Sequence, residues 1–190
     1  MGLSTRTSSA LTSLAALLVA GLVLSGCSGQ EAGAAAVVGD RRITIAQVQS
    51  AYTDVVPLVG QDAQFTQSDI LNWLILEPYL TQEAAHEGKG VSVQDAKLEF
   101  TKVEGAPRDP SPAALAVVRA ILARGAVFAN DKSTEELTAL LNQITGRLKA
   151  DGVKLNPRYG SSMDYTQANI VKGQPNWLKP VATPSATPAQ

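Results

Sequence analysis

Cys27 and His86 are the only thiol and the only imidazole in this sequence, and between them they bound its chemistry. One cysteine excludes an internal disulfide, and one histidine excludes any multi-histidine metal site. Glu83-X-X-His86 has the spacing of half a di-metal carboxylate site, but that chemistry needs a second copy and so a second histidine. His86-Glu87 opens like a zinc-protease helix, yet Gly90 stands where the second histidine is required. A serine triad would have to use His86, and no nucleophile-elbow sequence accompanies it. Gly88-Lys89-Gly90 lacks the remaining glycine and the Lys-Ser/Thr ending of a phosphate loop, and reads as a helix stop. His86 is therefore expected to be a solvent-facing side chain near a helix C-terminus, where positive charge is favoured. No catalytic residue, metal or cofactor is expected, and the chain reads as a non-enzyme.

Cys27 has a more specific context. Met1 to Ser9 carries Arg6 and no acid, and residues 11–24 (LTSLAALLVAGLVL) form an apolar stretch short for a membrane span and suited to a signal h-region. It ends in Leu24-Ser25-Gly26-Cys27, which resembles the lipobox of bacterial lipoproteins. In that family the thiol is the nucleophile that takes a diacylglycerol. Cleavage then leaves the cysteine first, with an N-acyl group. Acyl chains contribute roughly 0.8 kcal/mol per buried CH₂, so two or three of them hold a protein on a membrane.

The elements that follow are read from caps and periodicity. Residues 28–36 (SGQEAGAAA) read as a flexible tether. Val37-Val38, the turn signal Gly39-Asp40 and Arg41-Arg42-Ile43 read as a short strand and turn. Thr44 with Gln47 is a capping box, and Val48, Tyr52, Val55, Val56 and Val59 continue at helical spacing, with Pro57 kinking or ending the helix. Thr66 or Ser68 caps a second helix that is apolar nearly all round: Ile70, Leu71, Trp73, Leu74, Ile75, Leu76. Pro78 lies inside it, and Gly88 and Gly90 stop it. Ser92 with Asp95 opens a third helix. Ser111 and Pro112 open a fourth. Ser133 with Glu136 opens a fifth with an amphipathic stripe of Leu137, Leu140, Leu141, Ile144 and Leu148. Val153 to Asn156 reads as a strand that pairs with Val37-Val38, since neither is stable alone. Residues 158–178 read as irregular, and residues 179–190 as a proline-rich disordered tail.

In order and spacing these elements resemble the N-terminal chaperone domain of SurA/PrsA-type extracytoplasmic folding factors. The carrying residues are Ala36 to Asp40 with Ile43-Thr44, then Glu83-Ala84-Ala85, Gly90-Val91-Ser92 and Asn156-Pro157-Arg158-Tyr159-Gly160. Two departures stand out. Ser161 to Asp164 replaces the Trp-Asp pair that follows Tyr-Gly in many members, and the chain has no room for a parvulin-type domain, so isomerase activity is not carried over. The resemblance implies a mainly α domain of about five helices over residues 37–165, with a two-stranded β element joining its ends. It would be flanked by a leader (1–26), a lipidated tether (27–36) and a tail (166–190).

The function implied is binding of unfolded or partly folded exported polypeptides at the extracytoplasmic face of the cell membrane. Phe65, Trp73 and Tyr79 are candidates to line the groove, opened by bends at Pro57 and Pro78. The alternative is an accessory lipoprotein that docks one fixed envelope partner. A formal net charge of −1 and only nine aromatic residues argue against a nucleic-acid partner. Replacing Cys27 with Ser is expected to move the protein from the membrane to the medium, or to leave an unprocessed precursor. Unaltered membrane fractionation would overturn the lipid anchor.

Overall fold

A computed structural model describes residues 32–60, 64–129 and 131–173; the segment read as a leader, Cys27 and the residues from 174 onward lie outside them. The described chain is mainly helical. It runs β1 (Ala34–Val38), β2 (Arg41–Thr44), α1 (Ile45–Val59), α2 (Gln67–His86), α3 (Val93–Thr101), α4 (Pro112–Val127), α5 (Thr134–Asp151), β3 (Val153–Leu155), β4 (Ser162–Asp164) and β5 (Asn169–Val171).

Helix starts follow the caps. Thr44, Thr66, Ser92 and Ser133 each accept the N–H of the third helical residue, whose side chain returns to the cap backbone. Ser111 caps α4 through Ala114 N–H, with Pro112 at the first helical position. At the second helix Thr66 is the cap. Ser68 instead donates to Tyr159 O at 2.8 Å.

The sheet is larger than the sequence suggests. β2, β1 and β3 form one three-stranded antiparallel sheet, with Val38 opposite Val153 and Ala36 opposite Leu155. β1 begins at Ala34, so the last alanines of the supposed tether are buried strand with a bulge between Ala34 and Ala36. Ala lacks the β-branched pattern that marks a strand, yet Ala34, Ala35 and Ala36 are all buried here. The segment expected to be irregular holds the β4–β5 hairpin.

The Asn-Pro-Arg-Tyr-Gly segment stitches these parts together. Asn156 donates from its backbone to Ala35 O at 2.9 Å and from Nδ2 to Ala34 O at 3.0 Å. Tyr159 is buried. A Cβ at Gly160 would stand 2.3 Å from Ile170 Cγ2 and 2.8 Å from Val171 O, so no other residue fits without displacement.

α2 is the axis of the fold and packs most extensively on α4. α4 buries Leu115, Val117, Val118 and Val127 together with four alanines, Ala113, Ala114, Ala120 and Ala123. Both prolines lie inside their helices, and each helix continues beyond its proline. Pro78 has no N–H for the carbonyl four residues back, that of Leu74, and its ring crowds that carbonyl. Arg41 makes good the loss. Its Nη1 donates to Leu74 O and its Nη2 to Ile75 O, both at 2.9 Å. Burial pulls the Arg41 guanidinium below its ordinary pKa, with Tyr79, Glu77 and Asp151 acting in the opposite direction.

Replacing Arg41 with Gln is expected to cost about 2 kcal/mol, since it removes two charge-assisted bonds to buried carbonyls. Pro78→Ala restores a donor to Leu74 O and should shrink the cost of the Arg41 change. Denaturant unfolding of the two single variants and the double variant measures the coupling; additive costs would break the link between the two residues.

Candidate functional site

α5 buries one apolar row, Leu140, Ile144 and Leu148, and is tied to α2 by a set of polar contacts. Glu83 of α2 is only 6% exposed. Its carboxylate accepts from Arg147 Nη2 at 2.9 Å and Gln143 Nε2 at 3.0 Å, and Arg147 Nη1 donates to Gln82 Oε1 at 2.8 Å. Tyr79 Oη donates to Asp151 Oδ2 at 2.5 Å. Lys132, just before α5, donates to Glu87 Oε2 and to Val127 O, each at 2.6 Å, and its ammonium holds the Glu87 carboxyl below its ordinary pKa. These contacts fix α5 against α2, while α5 and α4 scarcely touch.

A cleft of about 590 Å³ results, a size suited to binding. α2 supplies Asn72, Trp73, Leu76 and Leu80; the end of α4 supplies Arg124 with Phe128 beyond it; α5 supplies Thr134, Leu137, Thr138, Leu141 and Ile144. The turn between β4 and β5 closes it with residues 166–169. Leu137 and Leu141 are half-buried, whereas Leu140, Ile144 and Leu148 on the adjacent row of α5 are buried. The stripe of α5 is thus two rows with different roles, one in the core and one along the cleft.

The closing turn is held in shape from within. Ala168 adopts φ +53, a left-handed conformation that costs a non-glycine residue roughly 1 kcal/mol. Asp164 Oδ1 accepts from Thr166 N at 2.7 Å and Thr166 Oγ1 at 2.6 Å, which holds the Asp164 carboxyl below its ordinary pKa. Asn72 Nδ2 donates to Ala168 O at 3.3 Å. Asn72 Oδ1 is buried and has no hydrogen-bond partner among the described residues.

Of the three candidates read from the sequence, only Trp73 lines the cleft, with the Arg124 guanidinium 5.9 Å above its ring centroid. Phe65 sits just before the α2 cap, half-buried against the core. Tyr79 corrects the sequence reading: it is 7% exposed and belongs to the core, on the side of α2 that faces Asp151 and Arg41. Neither Pro57 nor Pro78 lines the cleft, which opens between α4 and α5 rather than at a helix bend. The leucines of α5 were legible as an apolar stripe but not as the lining of a cleft. Arg124 carried no signal at all.

His86 is exposed in the last turn of α2, its Nδ1 4.0 Å from Glu83 Oε2. Among the described residues no three His, Cys, Asp or Glu side chains are grouped to hold a metal, and no helix there is long and apolar enough to cross a membrane. Cys27 lies outside the described residues. Compared with protein-family models, curated proteins and solved structures, the chain has no match.

Burial first, and then the bond to Asp151, raise the Tyr79 phenol well above its ordinary pKa. A raised folded-state pKa means the folded chain holds the proton more tightly, so this contribution is complete below the unfolded value of about 10 and declines as pH rises above it. Tyr79→Phe should therefore flatten part of the alkaline loss of stability, measured by unfolding at pH 8 and above pH 10. Tyr79→Ala should cost about 3 kcal/mol, as a truncated core aromatic does. An unchanged melting temperature for the alanine variant would put Tyr79 outside the core.

Proposed function

We propose that this domain binds extended, apolar segments of other polypeptides in the cleft between α2, α4 and α5, in the manner of a chaperone and without isomerase chemistry. In this reading the protein is a lipid-anchored extracytoplasmic factor, held at the membrane through Cys27 and acting on exported chains. One observation carries the binding function: a cleft of about 590 Å³ walled by half-buried Trp73, Phe128, Leu137 and Leu141. Large apolar side chains left partly exposed in one concave place favour an apolar occupant.

The rest of the wall supports a polypeptide as that occupant. Asn72, Thr134, Thr138, Thr166, Gln167 and Asn169 bring neutral amides and hydroxyls to the same cleft. Such groups match the main-chain N–H and C=O of an extended segment, which a wholly hydrocarbon ligand does not carry.

Thr138 offers a clean test because it is exposed on α5 and lines the cleft. Thr138→Trp should occupy the cleft and leave stability within about 0.5 kcal/mol, as for other surface changes. The full chain is expected to suppress aggregation of several unrelated unfolded proteins, with peptide binding in the micromolar range. The variant should lose about tenfold in affinity, equivalent to about 1.4 kcal/mol. Suppression unaffected by Thr138→Trp would move binding out of the cleft. A protein that fails with every unfolded client yet co-purifies in fixed ratio with one envelope protein would be an accessory subunit instead.

A further inference from the structure

Among the described residues, the cleft has one charge. Among the residues that line it Arg124 alone is ionised at neutral pH, and no carboxylate among the described residues pairs with it. Its guanidinium lies over the Trp73 ring, 5.9 Å from the centroid. At this distance the guanidinium acts on the ring as a cation, and Arg124 is exposed, so its N–H groups are open to an acceptor. A carboxylate is the complementary group, since it accepts two parallel N–H bonds from the guanidinium edge. The ring beneath holds the guanidinium in place, so less side-chain freedom is lost when the pair forms.

Resting on the polypeptide reading above, we infer that Arg124 makes the cleft selective for segments that carry an acidic side chain next to large apolar residues. The apolar residues would enter between Trp73, Leu137 and Leu141, and the carboxylate would meet Arg124 at the end of α4. Charge also argues against the chain's own C-terminal segment as the occupant. Residues 174–190 contain Trp177 and Leu178 but no acidic residue, and their one charged side chain is Lys179, which Arg124 repels.

Three labelled peptides test this on the full chain: a Phe-Leu core flanked by aspartate, the same core flanked by asparagine, and the same core flanked by lysine. The aspartate peptide is expected to bind about five-fold more tightly than the asparagine one, a difference in the range of a partly exposed ion pair, with the lysine peptide weakest. Salt at 0.5 M should largely remove the difference. Arg124→Gln should bring the aspartate peptide to the asparagine level while leaving the asparagine peptide within about twofold; Arg124→Lys should keep the order. Equal wild-type affinities for the aspartate and asparagine peptides, with both still weakened by Thr138→Trp, would overturn the selectivity and leave the cleft as a binding site. Failure of all three peptides to bind would overturn the polypeptide reading as well.

Discussion

A proline inside a buried helix leaves a carbonyl that no water reaches, and that carbonyl needs a donor from elsewhere. In this fold the donor is Arg41, at the first position of β2, which bonds Leu74 O and Ile75 O at the level where Pro78 interrupts α2. The arrangement couples three things that are separate in sequence. It anchors the N-terminal sheet on the central helix, it lets α2 continue through its proline, and it places a half-buried cation beside Tyr79, Glu77 and Asp151, which offset its desolvation. Tyr79 then reaches Asp151 at the end of α5, and the backbone beyond it returns along β1 as β3. Both ends of the domain therefore converge on the same stretch of α2.

The cleft follows from how α5 is held. α5 buries Leu140, Ile144 and Leu148 but does not close against α4, and Leu137 and Leu141 stay half-buried. Instead α5 is clasped to α2 through Glu83, Arg147 and Gln143 near one end and through Lys132 just before the other. Hydrogen-bonded clasps have directions and lengths, so they fix a separation that apolar contact alone would tend to close. The β4–β5 turn completes the wall, and its strained Ala168 is tied to α2 by Asn72.

Much of the secondary structure was legible because its signals are local. A Ser or Thr three residues before Gln, Glu or Asp can satisfy free helix N–H groups with atoms already adjacent in the chain. The boxes at Thr44, Ser92 and Ser133 therefore appear where the sequence placed them. The pairing of Val37-Val38 with Val153 to Leu155 was also legible, as two short strands that each need a partner. The alanines of β1 and the β4–β5 hairpin were not. Alanine carries no strand pattern, the hairpin strands are three residues each, and the left-handed turn position that usually shows as Gly or Asn is Ala168.

The site was legible in part. Trp73, which lines the cleft, stood out because a large aromatic on a highly apolar helix is conspicuous, and Tyr79 was placed with it for the same reason. On a helix apolar nearly all round, periodicity does not say which face meets core and which meets a cleft. The sequence by itself determined where helices begin, which residues break or bend them, and how little metal and nucleophile chemistry one histidine and one cysteine allow, because these depend on neighbours along the chain and on residue type. Tertiary structure alone decided that Tyr79 is core, that Leu137 and Leu141 line a cleft, and that Arg124 stands above Trp73 with no carboxylate partner among the described residues. Those outcomes depend on the rotation and spacing of whole helices, set by contacts between residues far apart in sequence: Arg41 with Leu74, Glu83 with Arg147, Tyr79 with Asp151.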